Sequence, residues 1–349
     1  MSLRTFGALV VALALLVPLG GYAQDANDAA AKRQAEQQRV QPLNNAPMWG
    51  EVRSGEPQYT SIKGRETGVL MQTAGQTWRE ARVPISTFGG IIIALAVLGL
   101  LGYYAWRGSI GIHERPSGRY IQRFSPFERA VHWTMGISFV VLGITGLVLT
   151  FGKHILIPVI GYTLFAWLAQ AAKIAHNFIS PVFAVALPIF IIMFVRDNLP
   201  KAYDVKWIAK FGGMLDKTGG HVPSGRFNAG EKALFWGLVC VLSVILIVSG
   251  AILLFPTFDQ TRQTMALSNT VHMVAAMLAI AMACFHIYLG TVGMKGAYRA
   301  MRHGYVDETW AKEHHEIWYE EVKAGKSRQR VVDSPDRVPP EVPAALQSN

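Results

Sequence analysis

Residues 270–292 read TVHMVAAMLAIAMACFHIYLGTV and decide the fold, because this run is long enough to cross a bilayer as a helix. Four further apolar runs of similar length precede it, at 88–106, 131–151, roughly 176–195 and 233–255. The chain is 51% hydrophobic and only 16% charged, against roughly 25% charged residues in a soluble domain. We therefore expect an all-α membrane protein, a transmembrane helical bundle that consists of a four-helix core and one extra N-terminal helix.

The segments outside these runs divide the chain further. Residues 1–23 have the pattern of a secretory signal peptide, with Arg4 before a short apolar core and small residues before Gln24. An uncleaved signal anchor is the alternative. An apolar stretch at 155–169 contains Pro158 and Gly161 and is short for a span, so we expect it at the membrane interface. We therefore predict a signal peptide at 1–23 and an exported, partly disordered extension at 24–87, of which 24–41 is a tether. The extra helix follows at 88–106, the four-helix domain at 107–292 and the tail at 293–349.

Lysine and arginine concentrate in alternate loops, which predicts the orientation in the membrane. Five arginines lie between the first two apolar segments and seven basic residues between the third and fourth, and the tail begins with Lys295, Arg299 and Arg302. The other two loops hold only Lys153 and Lys173, and Arg262. This distribution predicts a periplasmic N-terminus and a cytoplasmic C-terminus. It also explains the formal charge of +10 without a nucleic-acid partner.

Four histidines lie within or at the edge of the apolar segments, where an ionisable group indicates a functional site: His132, His176, His272 and His286. Any one of them could instead be a histidine hydrogen-bonded between helices. In the predicted topology, however, His132 and His286 lie near the cytoplasmic face, and His176 and His272 lie near the periplasmic face. One pair at each face is the arrangement that two haems with bis-histidine axial ligation require.

The helix at 270–292 carries the most specific pattern. His272 and His286 are 14 residues apart, which corresponds to about 21 Å of helical rise on nearly the same face. Gly136 and Gly143 share the face of His132 in the same way. A macrocycle beside a helix needs small neighbours, although small residues also serve helix–helix packing in membranes. The small residues between and after the two histidines are Ala275, Ala276, Ala279, Ala283, Gly290 and Gly293.

Other metal-binding patterns are weaker. The two cysteines, Cys240 and Cys284, lie inside apolar runs, and the sequence has no CxxC pattern, which excludes covalent c-type haem and a ferredoxin-type cluster. His314 and His315 have no partner at the spacing of metal ligands, so we expect both on the surface.

From about Phe124 to Tyr319 the sequence resembles the gamma subunit of bacterial membrane-bound formate dehydrogenase, a di-haem cytochrome b. The similar motifs are FERAVHW at 127–133, HNF at 176–178, RFNAGEK at 226–232 and WAKEHH at 310–315, together with His272 and His286. The shorter four-helix members of that family lack the signal sequence, the 24–87 segment and the first apolar segment, and the chain is similar to a longer form of the gamma subunit that has such an N-terminal extension.

The resemblance implies two b haems, one held by His132 and His286 and the other by His176 and His272. It also implies a quinone site near Asn228, Gly230 and His286. Without the family, capping of the following helix explains Asn228 equally well. The implied partners are an iron–sulfur beta subunit and a catalytic alpha subunit, which would deliver electrons from the periplasmic side.

The chain itself has no site for formate chemistry, so we expect an electron-transfer subunit. The alternatives are a cytochrome b subunit of another quinone-linked oxidoreductase, such as a hydrogenase or thiosulfate reductase, and a haem-free anchor or proton relay.

Overall fold

The computed structural model describes residues 28–34, 36–37, 46–55, 73–215, 222–258 and 260–333. The predicted signal peptide lies outside these ranges. Five helices in the described part are long and apolar enough to cross a membrane. In chain order the helices up to the last span are α1 (28–34), α2 (Ala46–Ser54), α3 (Thr73–Arg107), α4 (Pro126–Ile155), α5 (Ile157–Phe194), the short α6 (Ala202–Ala209), α7 (Ala229–Leu254) and α8 (Arg262–Gly293).

The five spans agree with the five apolar runs, but most of the helices extend beyond them. Helix α3 begins at Thr73 and not at 88, so it takes in part of the predicted extension. Residues 28–34 and 36–37 are helical, so the prediction of a disordered tether is wrong for them. Alanine, lysine, arginine, glutamine and glutamate, which dominate that stretch, are strong helix formers.

Most of the apolar stretch at 155–169 belongs to α5, and its predicted location at the membrane interface stays a prediction. The only non-helical backbone inside that helix is at Gly161 (φ 74°, ψ 174°). A glycine takes such angles without steric cost, and Pro158 lies in the first turn of the helix, where a proline is tolerated. The segment therefore turns once, and residues 162–194 then run on as one helix.

The described residues fall into two compact units. The first takes in Ile144–His176, Gln260–Leu267 and the described part of Met1–Val83. The second takes in Pro84–Gly143 and the described parts of Asn177–Asp259 and Ser268–Asn349.

The second unit contains a small sheet that the sequence did not predict. Strand β1 (Arg119–Gln122) lies between β2 (Tyr305–Asp307) and β3 (Val331–Asp333), and both pairings are antiparallel. Three short helices accompany the sheet: α9 (Ala297–His303), α10 (Glu308–His314) and α11 (Glu316–Lys323). Burial of Trp310 and Trp318 in the core of this unit fixes the tail against the loop that precedes α4.

Two stretches of π-helix interrupt the regular turns of the spans. They are Phe235–Leu242 inside α7 and Leu289–Gly293 at the end of α8. A π-turn inserts a residue and rotates the side chains that follow it, and such turns are frequent at functional sites. The second stretch directly follows the turn that carries His286.

Candidate functional site

The structure brings His132 of α4 and His286 of α8 together within the second unit. Their ring centroids are 6.0 Å apart, and the ring planes are tilted by 58°. An iron atom between two imidazole nitrogens separates those nitrogens by about 4 Å, at roughly 2 Å for each bond. The ring centres lie about 1 Å further back on each side. The observed spacing of the ring centres is therefore wide enough for one metal ion between the two rings.

The surroundings of these two rings fit a bound haem. His132 Nδ1 is buried, and no other group in the described part of the chain hydrogen-bonds to it. One turn after each histidine comes a glycine, Gly136 in α4 and Gly290 in α8. A Cβ atom added at either glycine would meet no atom of another described residue within 4 Å. A flat macrocycle needs such open space beside its ligands.

The small residues along one face of α8 serve different purposes. Ala275, Ala279 and Ala283 are buried, and the last two pack with Leu238 of α7. Helix–helix packing, the alternative for small residues, is therefore correct for this part of the stripe. Gly290 is the member of the stripe with open space beside it.

His176 is held within the first unit by a hydroxyl and faces a glycine. Thr145 Oγ1 lies 2.8 Å from His176 Nδ1. A Cβ at the next residue, Gly146, would lie 3.6 Å from His176 Cε1, which is ordinary contact distance.

His272 has the same surroundings within the second unit. Ser249 Oγ lies 3.0 Å from His272 Nδ1, and a Cβ at Gly250 would lie 3.3 Å from His272 Cε1. The serine hydroxyl donates its only proton to the carbonyl of Ile245 at 2.6 Å, so the ring must donate to the serine. We therefore assign the proton to Nδ1, and Nε2 carries the lone pair that a metal ligand needs.

The Thr145-Gly146 and Ser249-Gly250 dipeptides are site residues that the sequence analysis missed. Each lies on the helix before the histidine that it contacts, and each combines a hydroxyl with a glycine. Their similarity was the signal that could have identified them.

The predicted quinone-site residues line one cavity of about 350 Å³ in the second unit, together with His286. Asn228 is the N-cap of α7: its Oδ1 accepts a hydrogen bond from the backbone N–H of Glu231 at 3.0 Å. The capping explanation is thus correct. Because the cap fixes Oδ1, the Nδ2 amide group is left as the donor end of the side chain. Gly230 has its own packing reason, since a Cβ there would lie 2.8 Å from the indole of Trp207.

Comparison with known proteins adds the family. The sequence model of prokaryotic cytochrome b561 matches residues 123–304. The chain belongs to this family. It is a family of membrane b-type cytochromes in electron transfer, so this cytochrome binds haem b, and the predicted multi-pass all-α fold class and electron-transfer function are confirmed. Helix α3 lies outside the matched region.

Curated relatives of this cytochrome are named as subunits of formate dehydrogenase. The nitrate-inducible formate dehydrogenase cytochrome b556(Fdn) subunit of Escherichia coli K12 is 29% identical over 220 residues, which cover 60% of this chain and 95% of that protein. The cytochrome b556(fdo) subunit of the same organism is 32% identical over 216 residues, or 58% and 93% of the two chains. The cytochrome b556 subunit of Haemophilus influenzae formate dehydrogenase is 27% identical over 227 residues, or 62% and 88%.

The starts of α4 and α7 are joined by a reciprocal pair of arginines. Arg123 donates to the carbonyl of Arg226 at 2.8 Å and to Glu231 at 2.9 Å. Arg226 donates to the carbonyl of Arg123 at 2.6 Å and to Glu128 at 2.9 Å. Each glutamate is in turn the third residue of a capping box, with Ser125 in one and Asn228 in the other.

This joint, formed by the two arginines and the two glutamates, connects the first turns of α4 and α7. The motifs RFSPFER at 123–129 and RFNAGEK at 226–232 share arginine, phenylalanine, a capping residue, glutamate and a final basic residue. Comparing the two motifs with each other could have predicted the joint. Asn228 is therefore held by its capping bonds to Glu231, which in turn accepts a hydrogen bond from Arg123.

His315 contradicts the sequence prediction of a surface residue, since only 1% of it is exposed. Its ring packs against Trp310 and Trp318, and Nδ1 lies 2.8 Å from the carbonyl oxygen of Gly225. Burial, followed by the charge of Arg123, lowers the pKa of His315 well below its ordinary value. His315 is therefore neutral at pH 7, and it lines the same cavity as Asn228.

Proposed function

We propose that this cytochrome is the membrane subunit of a formate dehydrogenase, and that it carries electrons from a periplasmic iron–sulfur subunit through two b haems to quinone. The single observation that carries the proposal is the 6.0 Å spacing of the His132 and His286 rings, next to open space at two glycines. The names of the relatives support formate dehydrogenase as the complex.

In this proposal His132 and His286 hold one haem, and His176 and His272 hold the second. When bound, haem supplies one-electron redox chemistry, which this chain's side chains do not provide themselves. The protein supplies ligand geometry: Thr145 and Ser249 hydrogen-bond the Nδ1 atoms of His176 and His272. Such partners fix the orientation of a ligating imidazole and raise its basicity.

Quinone binds, in this proposal, in the cavity lined by Asn228, Gly230 and His286. Reduction of a quinone to a quinol takes two electrons and two protons, and the protons come from the aqueous phase at that face. The Asn228 amide, oriented by its cap, donates a hydrogen bond to one quinone carbonyl. The neighbouring arginine joint keeps this donor fixed while the ring changes redox state.

We place the cytochrome in the bacterial inner membrane, with the N-terminus in the periplasm and the C-terminus in the cytoplasm. The support is the concentration of lysine and arginine in alternate loops and in the tail. The cavity then faces the cytoplasm, and formate oxidation outside with proton uptake inside would generate a membrane potential. The partners are an iron–sulfur beta subunit and a catalytic alpha subunit, with the 24–87 extension docking on one of them.

Co-purification tests the complex. The tagged cytochrome is isolated from its native membrane in mild detergent, and the bound subunits are identified. The haem spectrum is followed after addition of formate or hydrogen to the oxidised protein, and of thiosulfate to the reduced protein, which a thiosulfate reductase would reoxidise. We expect an iron–sulfur and a molybdenum subunit, and haem reduction by formate alone. Reduction by hydrogen, or co-purification with a hydrogenase or thiosulfate reductase, would assign the cytochrome to one of those complexes. Deletion of 24–80 should abolish assembly if the extension docks.

A further inference from the structure

The cavity proposed for quinone has a second polar wall, which the proposed function does not use. His315 belongs to this wall and comes from the tail, between α10 and α11. The prediction that His315 lies on the surface gave it no role. Burying a polar imidazole ring costs free energy, so its burial beside the cavity suggests a functional role.

The hydrogen bonds of His315 settle which ring nitrogen carries the proton. Nδ1 lies 2.8 Å from the carbonyl oxygen of Gly225, and a carbonyl can only accept. Nδ1 is therefore the protonated nitrogen of a neutral ring. Nε2 carries the lone pair and can accept a hydrogen bond but cannot donate one.

The ring is also held rigidly in this orientation. Ser224 Oγ donates to the carbonyl of His314 at 2.8 Å and lies 3.3 Å from His315 Nδ1. The backbone N–H of Ile317 donates to the carbonyl of Ser224 at 3.1 Å. Trp310 packs against the ring at a centroid distance of 5.3 Å. An acceptor fixed in this way can distinguish ligands by whether they donate.

A quinone and its quinol differ in that respect. Both oxygens of a quinone only accept hydrogen bonds, whereas each quinol hydroxyl can also donate. The Asn228 amide can donate to an oxygen of either form. A fixed acceptor in the same cavity can serve only the quinol.

We propose that His315 Nε2 accepts a hydrogen bond from a hydroxyl of the bound quinol, and that His315 is thereby a specificity residue that makes the cavity prefer the reduced ligand. This inference rests on the proposed function, because it places quinone in this cavity. No covalent bond to His315 forms or breaks: the quinone gains two electrons and two protons, and the histidine recognises the product.

Asparagine and glutamine at position 315 separate this role from a structural one. His315→Asn keeps an N–H near the place of Nδ1, so the tie to Gly225 can persist, but it has nothing at the place of Nε2. His315→Gln reaches the place of Nε2 with an amide oxygen and gives up the tie. Tyr319→Phe is the matched control, because it removes a buried hydrogen bond of the tail, from the Tyr319 hydroxyl to Glu308 at 2.9 Å, and neither residue lines the cavity.

The experiment measures binding of decylubiquinone to the oxidised cytochrome and of decylubiquinol to the dithionite-reduced cytochrome, both without oxygen. We expect His315→Asn to weaken quinol binding about tenfold, the usual worth of one hydrogen bond in a desolvated site, and to leave quinone binding within twofold. Tyr319→Phe should leave the ratio of the two affinities unchanged. His315→Gln should keep the preference for quinol even if the protein becomes less stable.

Each result decides something different. If the unsubstituted cytochrome binds neither ligand, the quinone site itself is wrong. If it binds both and His315→Asn changes both equally or neither, the role given to His315 is wrong. If His315→Asn does not assemble with haem, the glutamine variant carries the test, and loss of the quinol preference in that variant overturns the proposal.

Discussion

Replacing Ser249 with alanine removes the hydroxyl that holds the ring of His272. The hydroxyl lies 3.0 Å from Nδ1, and its own proton goes to Ile245 at 2.6 Å. The variant therefore removes a hydrogen bond of the ring to a buried hydroxyl, which is worth about 1 kcal/mol. Loss of such a partner lowers metal affinity by about 10- to 100-fold. We expect the haem proposed for His176 and His272 to be lost readily, and the other haem to remain.

The assay is the number of b haems per chain after purification, by pyridine haemochrome, with a redox titration of the haem that remains weakly bound. A ring that no longer donates is a poorer electron donor to iron, so the midpoint potential should rise by about 40 mV for each kcal/mol lost. The matched control is Ser243→Ala, because Ser243 is buried in the same helix and donates to Leu238 at 2.8 Å without touching a histidine. Identical haem content and potential in the two variants would refute the assignment.

Three further predictions test other parts of the structure. Gly136→Leu should fill the open space beside His132 and remove one haem. The control is Gly99→Leu in α3, where a Cβ would also meet no described atom within 4 Å, and it should remove none. The haem content of the purified variants measures both effects. Arg226→Ala should destabilise the cytochrome by about 3–5 kcal/mol, because it leaves the largely buried carboxylate of Glu128 without its ion-pair partner. Arg226→Lys should destabilise it less. Denaturant midpoints in detergent compare the two variants, and equal midpoints would contradict the stabilising role of the arginine pair. Because the pKa of His315 is lowered in the folded protein, only the unfolded chain binds a proton there below about pH 6.5. Stability should therefore fall as the pH drops from 7.5 to 5.5. The fall in melting temperature should be larger in the unsubstituted protein than in His315→Asn.

The five spans could be predicted because they depend on local composition. A helix in hydrocarbon satisfies its own backbone hydrogen bonds, so length and hydropathy identify it. The ends were less predictable: α3 reaches back to Thr73 through polar residues that no apolar run marks. The break at Gly161 is visible in the sequence as a glycine in an apolar run, but the sequence does not show that helix α5 continues on both sides of it.

Some residues of the candidate site could be predicted from the sequence and others could not. The histidines of the site could be predicted, because an imidazole in an apolar helix is costly and paired depths are visible in the sequence. The sheet could not be predicted, since Tyr120 pairs with Asp307 and Val332, 187 and 212 residues away, and its strands have only three or four residues. The burial of His315 also depends on contacts distant in sequence, with Ser224 and Gly225.

Haem stoichiometry tests the central claim of paired imidazoles most directly. We predict two b haems per chain in the unsubstituted cytochrome, and one in His132→Ala, in His286→Ala and in the double variant, because both substitutions affect the same iron. His272→Ala should remove the other haem. A cytochrome that holds fewer than two haems, or a double variant that loses both while His132→Ala and His286→Ala each lose one, would contradict the pairing.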